Sequence, residues 1–137
     1  MITRISKIKI ACVLFSLVLI QILASCSKDD TPKVSPKKIV FKVEASTGVL
    51  VKMVVYGFDT DLTSISNADV QTWTSPEITI PANYNVATLT ANAMGTNSSS
   101  TLKVKIFIDG VEKKMNSSTG TALSATAQYN LNRLYVT

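Results

Sequence analysis

The chain has 137 residues, a formal net charge of +5, two cysteines and no histidine. The lack of histidine excludes a Ser-His-Asp triad and a Cys-His pair, and having only Cys12 and Cys26 excludes a zinc finger and a disulfide inside one mature domain. Residues 26–137 are enough for one domain that buries roughly two-thirds of its unfolded surface, so a second folded domain is excluded.

The positive charge is spread along the chain. Three of the 14 basic residues lie in the first nine positions, which leaves 11 basic and 9 acidic groups in residues 26–137. Nucleic-acid binding needs a clustered basic face, so we expect no nucleic-acid partner. The lysines instead come in separate pairs, which are Lys37/Lys38, Lys103/Lys105 and Lys113/Lys114.

The first 25 residues have the pattern of a signal peptide. The first nine residues include three basic and no acidic side chains, Ile10–Leu23 is an apolar run, and Ala24–Ser25 supply the small residues of a processing site. The alternative is an uncleaved membrane anchor, because the uncharged stretch Ile10–Ser27 reaches the lower limit for a spanning helix. Gln21 and Ser25 weaken the far end of that stretch, which favours the signal peptide over residues 1–25.

Leu23-Ala24-Ser25-Cys26 resembles a bacterial lipobox. At such a site a diacylglycerol is joined to the cysteine sulfur before cleavage on its amino side, and only a thiol can form that thioether. The alternative is a chance cysteine beside an ordinary cleavage site. Two or three acyl chains on Cys26 would hold the protein permanently at a membrane, because one chain alone binds only marginally.

Lys28-Asp29-Asp30 follows directly and resembles the surface-export signal of lipoproteins in one group of Gram-negative bacteria. It predicts an outer-membrane lipoprotein that is exposed at the cell surface, with a merely solvated tether as the alternative. Residues 26–36 contain Pro32 and Pro36 and no apolar periodicity, so they form a linker that reaches up to about 30 Å.

Residues 37–137 read as a domain of short strands. Residues alternate with a period of two in Ile39–Ala45, Asn85–Met94 and Leu102–Ile108, whereas Val49–Phe58 is apolar at nearly every position. Thr72–Ile80 is a further strand that Pro76 interrupts.

The remaining segments complete this pattern. Asp109-Gly110 between apolar runs predicts a two-residue hairpin. Val111–Asn116, Thr121–Tyr129 and Leu131–Val136 are the strands that follow, whereas the polar stretch Asp59–Gln71 is a connection that could carry a short strand. No segment keeps a helical period, so the fold class is all-β, an antiparallel immunoglobulin-like sandwich of about seven strands. Trp73 is expected in its core, with a ligand platform as the alternative.

Several of these segments together resemble the MmpS-like family. The likeness covers residues 39–128, and it is strongest at the Val-Lys-Ile-x-Ile-Asp-Gly hairpin. The resemblance implies an immunoglobulin-like sandwich tethered to the membrane as an extracytoplasmic accessory module, in some relatives beside a large lipid-exporting transporter. The chain departs from those relatives in having a lipobox in place of a transmembrane helix. The segments that carry the likeness are Val43–Gly48, Val51–Tyr56, Trp73–Ile80, Ala87–Ala93, Lys103–Gly110 and Ser117–Gly120.

Neither an active site nor a cofactor site is predicted. No pair of carboxylates is marked by its spacing as a general acid and base, so we expect no enzymatic activity and no cofactor. Asp59, Asp61 and Asp69, with Thr60 and Asn67 nearby, offer oxygen ligands suited to calcium. They lack the glycine and terminal glutamate of an EF-hand loop, which favours a solvated connection and no metal.

Two classes of function fit these features. The first is a lipoprotein of the cell envelope that acts as an accessory or binding module, with an envelope protein, a glycan or a lipid as its partner. The second is a structural, fimbria-like subunit that assembles by strand addition. A terminal donor strand would distinguish the second class, and Leu131–Val136 is instead expected to complete the domain.

Overall fold

The computed structural model describes residues 35–134. The signal peptide, the lipobox and the export signal predicted from the sequence lie outside this range. Within residues 35–134, nine strands are followed by one 3-10 helix, Leu131–Leu134. The strands are β1 (Lys38–Ala45), β2 (Leu50–Phe58), β3 (Asp61–Val70), β4 (Thr72–Thr74), β5 (Ile78–Thr79), β6 (Val86–Met94), β7 (Thr101–Ile108), β8 (Val111–Thr119) and β9 (Ala122–Asn130).

The strands form two antiparallel sheets packed as a sandwich. Sheet 1 has the order β4-β1-β7-β8, with β5 also pairing with β1, and sheet 2 has the order β3-β2-β6-β9. The predicted all-β antiparallel sandwich is therefore confirmed. The number of strands is nine rather than about seven.

The extra strands come from two segments that the sequence pattern did not resolve. Residues 59–71 were expected to be mainly a connection, but they hold the ten-residue strand β3. Most of its side chains are exposed, so it has no apolar alternation and is held by its backbone ladder to β2. The predicted strand Thr72–Ile80 is divided into β4 and β5 on either side of Pro76, which has no N–H to donate to a ladder.

The predicted last strand, Leu131–Val136, is wrong for its described part. Leu131–Leu134 is a 3-10 helix, which begins where Asn130 Oδ1 accepts a hydrogen bond from the backbone N–H of Asn132 at 2.9 Å. This side-chain bond turns the chain away from sheet 2. Leu131 is fully buried and closes the end of the core. The chain therefore does not continue along sheet 2 as a strand with alternating side chains.

The core is built from the inward-facing positions of both sheets, as the period-two patterns predicted. Within residues 35–134, the buried residues of this core run from Ile39 to Leu131. The alternating sets on β1, β6 and β7 are nearly all fully buried, which confirms their predicted faces. These sets are Ile39, Phe41, Val43 and Ala45; Ala87, Leu89, Ala91 and Ala93; and Leu102, Val104, Ile106 and Ile108.

Aromatic side chains join the two sheets. Phe41 of sheet 1 lies with its ring centroid 5.4 Å from that of Tyr56 and 6.2 Å from that of Phe58, both on sheet 2. Tyr56 in turn lies 4.9 Å from Trp73, which is half-buried against the core. Tilted ring pairs at such distances contribute about 0.5–1.5 kcal/mol beyond their buried area. Trp73 therefore has the packing role expected of it.

A β-bulge explains why the β2 sequence does not alternate. The pairing of β2 with β6 moves from Val51–Ala93 to Met53–Asn92, which leaves Lys52 as the extra residue. The inserted residue changes the phase of the strand, so Val51 and Val54 both face the core although they are three positions apart.

The β7–β8 hairpin has the predicted two-residue turn. Asp109 and Gly110 both have positive φ, 49° and 78°, which is the geometry of a type I′ turn. The Asp109 side chain also accepts the backbone N–H of Lys38 at 2.9 Å. The turn therefore fixes the hairpin and ties its tip to the start of β1.

Replacing Ile106 with Ala should destabilise the domain by about 2–5 kcal/mol, because it removes a fully buried branched side chain. Lys103→Ala is the matched control: Lys103 lies on the same strand, is exposed and makes no ion pair among residues 35–134, so its loss should cost less than about 0.5 kcal/mol. Lys105 is less suitable, since it pairs with Glu44. Urea unfolding measures both changes, and equal small effects would contradict the assigned faces of β7.

Candidate functional site

The predicted lipidation and export residues lie before the described part of the chain. Leu23, Ala24, Ser25 and Cys26, together with Lys28, Asp29 and Asp30, fall in residues 1–34. Within residues 35–134, no helix is long and apolar enough to cross a membrane.

The candidate calcium ligands are not brought together. Asp59 caps the backbone: its carboxylate accepts the N–H groups of Asn85 and Val86, at 3.1 and 2.9 Å. Asp61 accepts the hydroxyl of Tyr84 at 3.0 Å, and Asp69 pairs with Lys52.

Asp61 and Asp69 lie near opposite ends of β3, roughly 25 Å apart at the rise of an extended strand. Among residues 35–134, no group of three metal-ligating side chains occurs. The polar connection favoured by the sequence is thus partly a strand, and its acids serve as backbone caps and surface pairs.

The outer face of sheet 1 carries paired charges. Glu44 Oε2 accepts a hydrogen bond from Lys105 Nζ at 2.7 Å, and Glu44 Oε1 lies 3.0 Å from Lys42 Nζ. These ammonium groups, Lys105 first and Lys42 second, hold the pKa of Glu44 below its ordinary value of 4.5. The side chains are partly exposed, so the cluster is a surface network of modest strength.

The edges of the two sheets meet along β8 and β9. Asn116 donates from Nδ2 to the carbonyl of Thr126 at 2.8 Å, and Ser118 Oγ accepts the N–H of Ser124 at 3.3 Å. Short polar side chains on β8 thus satisfy outward-facing backbone groups of β9. This polar seam covers one edge that would otherwise be open.

The seam ends at Lys113 and Lys114. A β-bulge lies here, because the pairing of β7 with β8 moves from Ile106–Lys114 to Phe107–Glu112 and leaves Lys113 as the extra residue. A bulge re-aims side chains, and both lysines line the same depression although they are adjacent on a strand. A groove therefore opens between β8 and β9 beyond the last seam contact.

We call this feature the basic groove; it consists of two adjoining depressions that share Lys113, Tyr129 and Arg133. Their volumes are about 330 and 360 Å³. The first is also lined by Lys114, Gln128 and Asn130, and the second by Lys37, Ile108, Asp109, Val111 and Leu134. These volumes are at the lower end of the range for small-molecule sites, about 300–1,000 Å³.

The groove collects most of the unpaired positive charge of the domain. Residues 35–134 contain nine lysines and arginines, and five of them have a carboxylate within 4.0 Å. The four without one in this part of the chain are Lys103, Lys113, Lys114 and Arg133, and three of these line the groove. A cation without a counter-ion is available to an anionic ligand.

Asp109 is the acid that lines the groove, and it is already occupied. Its Oδ2 lies 3.0 Å from Lys37 Nζ, and its Oδ1 accepts the backbone N–H of Lys38. That backbone hydrogen bond, followed by the one from Lys37, holds the pKa of Asp109 below its ordinary value. Asp109 is therefore bound to its own partners, and Lys113 adds a weaker electrostatic contribution to its lowered pKa. Among residues 35–134, Lys113, Lys114 and Arg133 line the groove without a carboxylate within 4.0 Å.

Sequence reasoning missed the groove. It treated Lys113 and Lys114 as one of several scattered pairs and placed Arg133 in a strand. The positions that meet here come from the start of β1, the β7–β8 hairpin, the end of β9 and the 3-10 helix. Their meeting depends on the bulge and on the turn at Asn130, and neither has a clear sequence signal.

The described residues therefore define an all-β sandwich protein, in which most of the lysines and arginines without a nearby carboxylate lie at one end. The family model described as Mycobacterium membrane protein matches residues 5–129. The chain therefore belongs to this family, the MmpS family. A comparison with curated proteins finds no significant match.

Replacing Glu44 with Gln should reduce stability at neutral pH and have no effect in acid. A carboxyl whose pKa is lowered by folding stabilises the folded state above its unfolded value, here 4.5, and this contribution is lost as the pH falls through the lowered value. The expected loss at pH 7 is less than about 1 kcal/mol, because the pairs are partly exposed. Urea unfolding at neutral and acidic pH measures it.

Glu112→Gln is the control for this experiment, since Glu112 is exposed and makes no ion pair among residues 35–134, so the change removes one carboxylate without breaking a pair. A difference between the Glu44 variant and the wild type that stays constant from neutral pH to about pH 3 would contradict the assigned pairing.

Proposed function

We propose that the protein is a lipid-anchored accessory module of the bacterial cell envelope, held at a membrane through Cys26 and displayed on the surface of the outer membrane. The observation that carries this proposal is the extent of the family match. It covers residues 5–129, which include the apolar run Ile10–Leu23 as well as the sandwich. A membrane-protein family whose model spans both parts supports a β-domain that functions next to a membrane.

The lipobox supports a lipid rather than a helix as the anchor. Leu23-Ala24-Ser25 places small residues directly before Cys26, and the residues after it are polar. Two or three acyl chains give lasting attachment, since each buried methylene contributes about 0.8 kcal/mol. The linker then lets the domain contact an envelope protein, a glycan or a lipid near its anchor.

A binding role fits the described side chains better than catalysis does. Asp59, Asp61 and Asp109 are each held by hydrogen bonds that stabilise the fold, and Glu44 lies in a surface charge network. A general acid or base needs a carboxyl that is free to exchange a proton with a substrate. We therefore propose a non-enzymatic module.

The edges of the sandwich favour this module over a fimbria-like subunit. Asn67 and Asp69 on β3 have φ values of 54° and 50°, which interrupt the regular ladder that an added strand would need. In sheet 1, the edge away from β8 is formed by β4 and β5, which have only three and two residues. Short and irregular edges disfavour strand addition, so we expect a monomer at all practical concentrations.

Cys26→Ala should abolish lipid attachment, because alanine has no thiol to form the thioether. The precursor should accumulate unprocessed and should incorporate no labelled fatty acid in cells. Cys12→Ala is the matched control: it removes the other cysteine, which lies in the apolar run, and should leave labelling and processing unchanged. Normal labelling of the Cys26 variant would contradict the proposed anchor.

Replacing Lys28, Asp29 and Asp30 together with Ala should reduce exposure at the cell surface. If these charges are the export signal, protease or antibody access on intact cells should fall while the amount of lipidated protein stays constant. A control variant with Thr31, Lys33 and Ser35 changed to Ala keeps the cluster and should behave as the wild type. Unchanged access in the first variant would mean that the cluster is only part of the tether.

A further inference from the structure

We propose that the basic groove binds the phosphate-bearing headgroups of anionic lipids in the membrane to which the protein is attached. The inference rests on the proposed anchoring through Cys26. It assigns a class of ligand to the basic groove, which is separate from the residues of the lipid anchor. The groove would act as a second contact with the bilayer, in addition to the lipid on Cys26.

The charge of the groove fits an anion. Lys113, Lys114 and Arg133 line it, and none of them has a carboxylate within 4.0 Å among residues 35–134. Arginine binds phosphate oxygens through two parallel N–H groups, and lysine adds compact positive charge. The shared lining residue Tyr129, with Gln128 and Asn130 in the first depression, adds polar groups that can hydrogen-bond to a headgroup.

The size and shape of the groove favour a small charged group over a large ligand. Each depression has a volume of about 330–360 Å³ and is open to solvent along the β8–β9 edge. Such a space can take a headgroup phosphate whose acyl chains remain in the bilayer. It is too small and too polar to enclose those chains.

The position of the groove brings it to the membrane. Lys37, which lines the second depression, is the residue directly before β1 and follows the linker. Only ten residues separate Cys26 from Lys37 in the sequence, which limits the distance between them to about 36 Å. A lipid on Cys26 therefore keeps the groove at a high effective concentration of headgroups.

Acidic residues at the same end determine which corner would contact the membrane. Asp59 and Asp61 lie at the β2–β3 turn of sheet 2, and Glu112 lies opposite Phe107 on β8. Asp59 and Asp61 are bound by Asn85 and Tyr84, and β6 separates them from β9 because sheet 2 has the order β3-β2-β6-β9. An anionic surface would repel the β2–β3 corner. At the β8–β9 corner the cations Lys37, Lys113, Lys114 and Arg133 outnumber Asp109 and Glu112, so the domain should tilt onto the groove.

Binding to vesicles tests the proposal with residues 26–137 carrying Cys26→Ser, a form without lipid that retains the whole core. The probes are vesicles of phosphatidylglycerol mixed with phosphatidylcholine, and vesicles of phosphatidylcholine alone. We expect sedimentation with the anionic vesicles only. Changing Lys113, Lys114 and Arg133 together to Gln should weaken this binding more than tenfold, because each cation near an anionic surface strengthens it about fivefold.

The matched control changes Lys42, Lys103 and Lys105 to Gln, which lowers the net charge by the same amount on the outer face of sheet 1. It should weaken binding less than about threefold. Cooperative thermal unfolding of both variants establishes that they are folded. Equal binding to neutral vesicles, or equal losses in the two variants, would overturn the proposal.

A soluble anion such as free phosphate could bind the same cations in place of a lipid headgroup. If inorganic phosphate shifts the amide resonances of Lys113, Lys114 and Arg133 while anionic vesicles fail to bind, the lipid assignment is wrong. Because the tested protein carries no lipid, its binding does not depend on Cys26. Failure of the groove and failure of the anchor are therefore detected by separate experiments.

Discussion

The contact between Phe41 and the aromatic residues of β2 is the interaction on which the rest of the structure depends. Phe41 is fully buried, and its ring meets Tyr56 and Phe58 across the interface. Its backbone N–H donates to Ser75 Oγ, and its carbonyl accepts the backbone N–H of Ser75. One residue thus joins the two sheets and also fixes the segment between β4 and β5. Truncating such a side chain typically costs about 3–5 kcal/mol, which is a large part of the stability of a small domain.

Where the two sheets meet at their β8 and β9 edges, the side chains of β8 determine whether the edge is closed by hydrogen bonds or opens into the basic groove. The polar seam of Asn116 and Ser118 satisfies backbone groups of β9 at Thr126 and Ser124. Two residues before Asn116 on the same strand, Lys114 stands in place of these short side chains, and the bulge adds Lys113. The same edge therefore protects the sheet at one end and opens into a groove at the other.

The sequence predicted the regular parts of the fold and little of the groove. Ile39–Ala45 and Leu102–Ile108 alternate because one face of each strand is buried, and Asp109-Gly110 is favoured at a turn that needs positive φ. β3 was largely missed because an exposed edge strand is held by backbone bonds, which leave no apolar pattern. The groove was missed because Lys37, Lys113 and Arg133 are far apart in sequence and meet only through the bulge and the 3-10 helix.

The central claim is that this sandwich is attached to a membrane through a lipid on Cys26. The most direct test is mass spectrometry of the protein extracted from membranes, with sequencing of its first peptide. We expect the chain to begin at Cys26 and to carry a diacylglycerol on the sulfur, with or without a further acyl chain on the amino group. An unmodified Cys26, or a membrane-extracted chain that retains residues 1–25, would contradict the account.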